Sequence, residues 1–388
     1  MDSAQGAARG KGLITLRNMM RAVTFAAVAA LTIACASPGM PPGGPADTEA
    51  PQIVKIVPDS AKTGTSPKEV IFRFNEVVSE RPAGATSLAG LFLISPTDGQ
   101  PRVDWHRDEI SVRPRRRWRA NTAYTITLLP GLADLRGNAR NTGAVTMFST
   151  GAAIPSSRIS GVLFNWPDAR TINRGGLVQA WPRGDTTLVY VTATDSSGAY
   201  TLGTLSPGDY VIRGLSDDNN NRGLDRRESW DTVSITLRDT AKVDIYSFVH
   251  DSLGARLQSA TLRDSVTMEL SFDNALSITQ PITVQQVRVL APDSSDLGVL
   301  SVTPPPPDTT AAARRLGRPV PPRTLTIKLS RPAQPKIVYR IRVTGVQNLI
   351  GITRNGEFRL TAPATLPVPP APRVAPPVAA PPAAPIRR

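Results

Sequence analysis

The chain has 388 residues and a net charge of +14, with 45 Lys and Arg against 31 Asp and Glu. It contains one cysteine, Cys35, and two histidines, His106 and His250, so neither an internal disulfide nor a Cys/His metal cluster can form. Its length allows about two to four domains. The basic excess is compatible with nucleic-acid binding only if the chain stays where nucleic acid is found.

The residues before Cys35 have the layout of an export signal. Basic residues up to Arg21 precede an uncharged, mostly apolar run over residues 22–34, which is too short to span a bilayer but fits a signal-peptide core. The run ends in LTIAC, which resembles the lipobox of bacterial lipoproteins, with Ala34 before the cysteine. The alternative interpretation is an ordinary signal peptide with an incidental cysteine.

The lipoprotein resemblance implies a signal peptide over residues 1–34, a thioether to diacylglycerol at Cys35 and a flexible linker over residues 35–49. Several acyl chains anchor a protein durably, whereas one is marginal. Ala36, rather than Asp, follows the cysteine, and by resemblance to known sorting rules this favours the outer membrane. Export excludes a nucleic-acid partner and makes anionic lipid, envelope polysaccharide or outer-membrane proteins the expected partners.

From about residue 50 the pattern is that of β-strands. Runs of 5–8 residues alternate apolar and polar positions and are separated by Gly, Pro, Asn and Asp. No long amphipathic helix is predicted, so the expected fold class is all-β, a series of β-sandwiches. Two runs, EVIFRF and TAYTITLL, each place three side chains on one face: Val70, Phe72 and Phe74, and Tyr124, Ile126 and Leu128.

An internal repeat is visible in three ordered pairs of segments. In the second copy the spacing is longer, because residues 303–322 form an apparent inserted loop rich in proline. The pattern predicts a duplication, although alternating strands in general also produce such likeness. The pairs are VIFRFNEVV (70–78) with MELSFDNAL (268–276), EISVRP (109–114) with LTIKLSRP (325–332), and AYTITLLPGLADLRGN (123–138) with VYRIRVTGVQNLIGIT (338–353).

The first copy resembles a known family. DTEAPQIVKIVPDS, VIFRFNEVVS, YTITLLPGLADLRGN and FSTG are similar, in this order, to the SbsA type of bacterial Ig-like domain, which is common in S-layer and envelope proteins. The resemblance implies an Ig-like domain over residues 50–152. The second copy, residues 252–363, is interpreted as a degenerate Ig-like domain, because NLIGIT replaces the D-x-x-G-N turn.

The region between the copies has another pattern. The stretch TDSSGAYTLGTLSPGDYVI resembles a prealbumin-like, carboxypeptidase-regulatory-like β-sandwich, expected over residues 155–248. Its hairpin turns at Ser197-Gly198, and Tyr200 and Leu202 then share one strand face. Modules of this kind are spacers or present ligands.

The Pro/Ala-rich tail, residues 364–388, cannot bury a core and is predicted to be a disordered spacer.

The stretch LSDDNNNRGLDRRESWD, residues 215–231, concentrates oxygen ligands. Counted from Asp217, its first aspartate, the spacing of the oxygen-bearing residues matches that of an EF-hand calcium loop. Arg222 stands where that loop normally has glycine, and the flanks are strands rather than helices, so an Asx-rich turn is the alternative. Ca²⁺ is the one cofactor predicted, with these candidate ligands: Asp217, Asn219, Asn221, Gly223 through its carbonyl, Asp225 and Glu228.

A second candidate site is the run RPRRRWR, residues 113–119. It is interpreted either as a solvated basic turn between two strands or as a contact for the phosphate groups of lipid or lipopolysaccharide. The candidate contacts are Arg113, Arg115, Arg116, Arg117 and Arg119.

Catalysis lacks a motif in this sequence. Neither His106 nor His250 lies near a recognisable nucleophile motif, and Asp108 and Glu109 point to opposite faces if they lie on a strand. Trp166 and Trp181, if they share one end of the central domain, would offer a sugar-stacking platform. The expected function is therefore a non-catalytic, lipid-anchored envelope protein that spaces or presents ligands. The alternatives are a carbohydrate-binding lipoprotein and an accessory subunit of an outer-membrane complex.

Overall fold

The computed structural model describes residues 46–307 and 311–366, with the side chains of residues 311–313 excepted. Cys35, the signal peptide and nearly all of the predicted tail lie outside the described residues. Residues 46–49 contain no helix or strand, and the described residues from Ala50 onward belong to one compact unit. The regular secondary structure of this part is almost entirely β-strand, with only short helices, which confirms the all-β fold class.

The first sandwich pairs a four-stranded sheet, order β1-β2-β5-β4, with a three-stranded sheet, order β3-β6-β7. A short 3₁₀ helix, Leu88–Leu91, precedes β3. Phe72 of one sheet and Ile126 of the other are fully buried in the shared core, as their strand alternation predicts. The strands are β1 (Ile53–Val57), β2 (Val70–Phe74), β3 (Phe92–Ser95), β4 (Arg102–Trp105), β5 (Glu109–Arg113), β6 (Ala123–Leu128) and β7 (Ala144–Ser149).

The central sandwich is one folded sheet of nine strands, with the path β11-β10-β13-β14-β16-β8-β12 and with β9 and β15 paired to β8. Only two residue pairs join β14 to β16, and the two halves face each other across a core containing Tyr200 and Leu202. The strands are β8 (Ser157–Asn165), β9 (Arg170–Thr171), β10 (Gly176–Pro182), β11 (Tyr190–Ala193), β12 (Ala199–Leu205), β13 (Gly208–Ser216), β14 (Ser229–Leu237), β15 (Thr240–Lys242) and β16 (Ile245–Val249).

The third sandwich has the strand order of the first. Its sheets run β17-β18-β21-β20 and β19-β22-β23, so each strand has a counterpart in the first sandwich, and a 3₁₀ helix, Val284–Gln286, again precedes the third strand. Helix α1, Ala311–Leu316, lies between β20 and β21. The strands are β17 (Leu257–Leu262), β18 (Thr267–Phe272), β19 (Val287–Leu290), β20 (Val299–Thr303), β21 (Thr324–Leu329), β22 (Val338–Gln347) and β23 (Thr353–Thr361).

The predicted duplication is visible in this shared order. The segments paired by sequence occupy equivalent strands: β2 with β18, β5 with β21, and β6 with β22. The inserted loop is also where the sequence indicates, because three residues connect β4 to β5 whereas residues 304–323 connect β20 to β21. The limits of the three predicted domains stay predictions. Of the helices described, none is long and apolar enough to cross a bilayer.

Candidate functional site

The acidic loop, residues 217–228, connects β13 to β14 in the central sandwich. Asn220 and Arg222 both have left-handed backbone conformations, with φ of +57° and +60°. Arg222 therefore adopts, at the sixth position, the conformation for which calcium loops of this spacing use glycine. The absence of glycine at this position does not prevent the sharp turn.

Main-chain amides hold the loop closed. The N–H of Arg222 donates to Asp217 Oδ2 at 2.9 Å. The N–H groups of Asp218 and Asp225 donate to the two carboxylate oxygens of Glu228 at 3.1 and 2.9 Å. The side-chain amides of Asn219 and Asn221 both donate to Asp225 Oδ2. Each side chain predicted as a ligand is therefore hydrogen-bonded to another residue of the loop.

One oxygen of this loop differs from the rest. Asp217 is 5% exposed, and its Oδ1 is the buried side-chain polar atom that lacks a hydrogen-bond partner within the described part of the chain. Burial raises the pKa of Asp217, although hydrogen bonds from Arg222 and Asn221 act in the opposite direction. The three carboxylates of Asp217, Asp225 and Glu228 are not gathered within 4.8 Å of one another.

The acidic loop also contributes to a contact between the first and central sandwiches, here called the first joint. The Arg222 guanidinium donates to the carbonyls of Ala89 and Gly90 at 3.0 and 2.8 Å, in the 3₁₀ helix of the first sandwich. Leu224 packs at the edge of the apolar cluster of this joint. That cluster consists of Leu93, Leu177, Val191 and Leu215.

Polar contacts surround the first joint. The N–H of Thr97 donates to the carbonyl of Val189 at 2.7 Å, so one backbone bond links the two sandwiches directly. Ser95 Oγ accepts from the N–H of Val191 at 2.9 Å. Arg119 pairs with Asp185 at 3.1 Å. Apolar burial with satisfied polar groups is the composition expected of a stable contact between domains.

The second joint connects the central sandwich to the third and is formed by the inserted loop. Leu316, at the end of α1, is fully buried against Phe164, Trp166 and Phe248. Trp166 Nε1 donates to the carbonyl of Pro319 at 2.9 Å. The Arg318 guanidinium carbon lies 3.4 Å from the centre of the Trp166 ring. A cation so placed over an indole face adds attraction to the burial of both groups.

The first sandwich has a relative among known domain families. Residues 47–150 match the bacterial Ig-like domain. The match covers less than a third of the chain and agrees with the resemblance of its four sequence blocks. No curated protein sequence matches the chain.

Likeness to solved structures is weak. The N-terminal part of the S-layer protein SbsC is 16% identical over 28% of this chain, with a TM-score of 0.21, and the chain spans only 24% of that structure. An L,D-transpeptidase from Mycobacterium smegmatis is 14% identical over 50% of this chain and 89% of its own, with a TM-score of 0.20. A DUF3823 family protein from Bacteroides uniformis is 11% identical over 54% and 100%, with a TM-score of 0.18. TM-scores at this level assign no activity.

The predicted arginine site lies in the Ig-like domain, at the end of β5 and in the connection from β5 to β6. Arg115, Arg116 and Arg117 are exposed, and the first two donate their main-chain N–H groups to Asp98. Arg113 pairs with Asp104, and Arg119 belongs to the first joint. Two of the five predicted arginines are thus paired with carboxylates, and the contact with an anionic surface stays a prediction.

The prediction that Trp166 and Trp181 could share one end of the central sandwich is wrong. Trp166 follows the end of β8 and Trp181 lies near the end of β10. Because β8 is parallel to β16, and β16, β14, β13 and β10 are successive antiparallel neighbours, β8 and β10 run in opposite directions. Trp166 is also only 6% exposed, since the second joint covers it.

The two histidines lie apart. His106 occupies the turn between β4 and β5, whereas His250 stacks on Trp230 with 3.9 Å between ring centres. Burial lowers the pKa of His250.

The joints themselves were not predicted from sequence. Their one signal was the inserted loop, which sequence reasoning treated only as an interruption of the repeat.

Proposed function

We propose that this chain is a non-catalytic lipoprotein of the bacterial cell envelope, anchored through Cys35, in which three joined sandwiches hold a ligand or partner at a set distance from a membrane. The observation that carries the proposal is the pair of joints. Each combines buried apolar side chains with direct hydrogen bonds between neighbouring sandwiches. Chains whose domains must move freely usually have exposed, polar linkers with few contacts instead.

Rigidity follows from the physical content of the joints. Burying a Leu side chain contributes about 1.5–3 kcal/mol, and Leu93 and Leu316 are both buried at joints. Opening either joint would expose these side chains and break the hydrogen bonds between the sandwiches, of which Val191 N–H to Ser95 Oγ is buried and Trp166 Nε1–H to the carbonyl of Pro319 is partly buried. A spacer resists bending for this reason, without any need for a covalent link between its domains.

The spacing function is tested by distance measurement between labels. Val54 and Leu300 are exposed in the first and third sandwiches. A Cys35→Ser chain with Val54→Cys and Leu300→Cys can be labelled for single-molecule energy transfer. We expect one narrow distance distribution, and Leu316→Asp should broaden it by opening the second joint. Leu135→Asp, the same change at an exposed site, is the control and should leave the distribution narrow.

A broad distribution in the parent chain would contradict the spacer proposal.

The anchor is tested separately. Mass spectrometry of the mature protein should find a diacylglycerol thioether at Cys35, and the protein should fractionate with membranes. Cys35→Ser should move it to the soluble fraction, and unchanged fractionation of this variant would refute the anchor.

Two alternatives are affected differently by the structure. A carbohydrate platform built on Trp166 and Trp181 has no support, because these side chains lie at opposite ends of the sheet and one is covered. A role as an accessory subunit of an outer-membrane complex is compatible with joined sandwiches that offer docking surfaces. Crosslinking in intact cells followed by purification would capture such a partner.

A further inference from the structure

The acidic loop has two distinct properties. It contains a buried carboxylate oxygen without a donor, and it supplies side chains to the first joint. The oxygen is Oδ1 of Asp217, and the side chains at the joint are those of Arg222 and Leu224. The two are linked through a single bond, because the N–H of Arg222 donates to the other oxygen of Asp217.

The unpaired oxygen is physically costly. Buried polar atoms in folded proteins almost always have partners, and a buried ionised carboxylate needs a compensating charge or donors. Asp217 Oδ2 has its donor, so the carboxylate is oriented toward the loop interior with Oδ1 left over. A cation bound at Oδ1 would satisfy this oxygen and favour the ionised form.

The remaining oxygens of the loop are those that Ca²⁺ prefers. The amide oxygens of Asn219 and Asn221 each accept one main-chain N–H, at 2.9 and 2.6 Å, and each keeps a second lone pair. Glu228 accepts two N–H groups and retains lone pairs on both oxygens. Asp225 is held by the two asparagine amides, and a cation would replace these two neutral donors with one charge.

Magnesium is a poorer match for the same set. Ca²⁺ takes six to eight oxygens in flexible geometry, whereas Mg²⁺ demands a near-ideal octahedron with shorter bonds. A loop that offers carboxylate, amide and carbonyl oxygens from six residues suits the larger, more adaptable ion.

We propose that the acidic loop binds one Ca²⁺ ion through Asp217 Oδ1, with oxygens of Asn219, Asn221, Gly223, Asp225 and Glu228 completing the shell, and that the ion stabilises the first joint. Binding fixes the main chain at Arg222, and this fixes the guanidinium on the carbonyls of Ala89 and Gly90. Calcium thereby stiffens the contact between the Ig-like domain and the central sandwich.

The affinity should be modest. Arg222, Arg226 and Arg227 lie in the same loop and repel a cation, and the expected dissociation constant is about 10⁻⁴–10⁻³ M, the range of extracellular calcium modules. This range suits a protein outside the cytosol, but the site does not depend on lipidation at Cys35.

The site is tested by titrating chelator-treated, full-length protein in detergent with CaCl₂ or MgCl₂ and following heat release and melting temperature. We expect calcium to bind and to raise the melting temperature. Asp217→Asn and Asp225→Asn should each weaken binding about tenfold or more. Asp218→Asn is the matched control, because Asp218 Oδ1 accepts from the hydroxyl of Ser216 and Asp218 is not one of the proposed ligands.

Three outcomes would overturn the site: no heat and no melting shift at 10 mM CaCl₂, equal binding of Mg²⁺, or equal losses in Asp218→Asn and Asp217→Asn. If Asp217→Asn fails to fold, the exposed Asp225 decides the question. The effect on the joint is read by hydrogen exchange. Calcium should slow exchange of residues 88–93 as well as 217–228, and protection confined to the loop would refute the coupling. Neither result bears on the anchor, and failure of the calcium site would leave in place the buried contacts that carry the spacer proposal.

Discussion

The first and third sandwiches have the same strand order but close one turn with different chemistry. In the Ig-like domain, Asp134 Oδ1 accepts the N–H groups of Arg136 and Asn138, both at 2.8 Å. In the third sandwich, Asn348 Oδ1 accepts the N–H groups of Ile350 and Ile352, at 3.1 and 2.9 Å. Both turns thus require a side-chain oxygen that accepts the N–H groups two and four residues later in the chain. A negative charge on this side chain is not required, because Asn348 makes the same bonds as Asp134.

The second atom of each side chain explains which residue stands where. Asp134 Oδ2 accepts from the side-chain amide of Asn138 at 2.7 Å, whereas Asn348 Nδ2 donates to the carbonyl of Asp251 at 2.7 Å. One site needs an acceptor and the other needs a donor. The sequence NLIGIT is therefore an adaptation of the same turn to a different neighbour.

The largest expected effect comes from the matched core positions. Phe72 and Leu270 are fully buried on equivalent strands. Phe72→Ala should cost about 3–5 kcal/mol and Leu270→Ala about 2–5 kcal/mol of unfolding free energy, from lost burial and residual cavities. Urea denaturation followed by tryptophan fluorescence measures both. Because the joints connect the sandwiches, both variants should lower one common midpoint, and two independent transitions would contradict this.

The comparison of the two turns is tested by exchanging Asn348 and Asp134, the residues whose side chains close them. Asn348→Asp places a carboxylate oxygen against the carbonyl of Asp251 and removes a buried donor, which should cost about 1–3 kcal/mol. Asp134→Asn should cost less, because the Asn138 amide can turn its oxygen toward the new NH₂ group. Equal costs measured by urea denaturation would show that the neighbour does not select the residue.

A smaller effect is expected at a pair of tyrosines. The hydroxyl of Tyr124 accepts from the N–H of Arg119 at 2.8 Å, and that of Tyr339 accepts from the N–H of Gln334 at 2.7 Å. Each bond spans five residues, as in the tyrosine corner of Ig-type sandwiches. Tyr124→Phe and Tyr339→Phe should each cost about 0.5–1.5 kcal/mol. If only one of them destabilises the chain, the two corners are not equivalent.

The smallest effect is a difference in acid sensitivity. Burial raises the pKa of Asp134, but hydrogen bonds from Asn138, Arg136 and Gly137 outweigh it, so the pKa lies below its usual value. A lowered pKa in the folded state contributes stability above the unfolded pKa of about 4, and this stability is lost as the pH falls through the folded pKa. Urea midpoints at pH 5, 4 and 3 should fall less steeply for Asp134→Asn than for the parent chain. Parallel curves would contradict this.

The sequence was sufficient for the strands and for their repetition, because alternation and turn residues are local signals. It identified the pairs β2 with β18 and β6 with β22 and placed the inserted loop. The joints depend on contacts between residues far apart in the chain, such as Arg222 with Ala89, which no local pattern encodes. The two tryptophans failed as a site for the same reason: strand direction in a folded sheet follows from pairing, not from sequence spacing.

The connection between β20 and β21 distinguishes the third sandwich from the first, which has the same strand order. In the first sandwich the equivalent connection is a tight hairpin, whereas Leu316 in the longer connection is buried against Trp166 of the central sandwich. A copied domain acquires a new neighbour by lengthening one surface loop while leaving its framework unchanged. Shortening that loop to three residues should release the last sandwich as a freely swinging but still folded body.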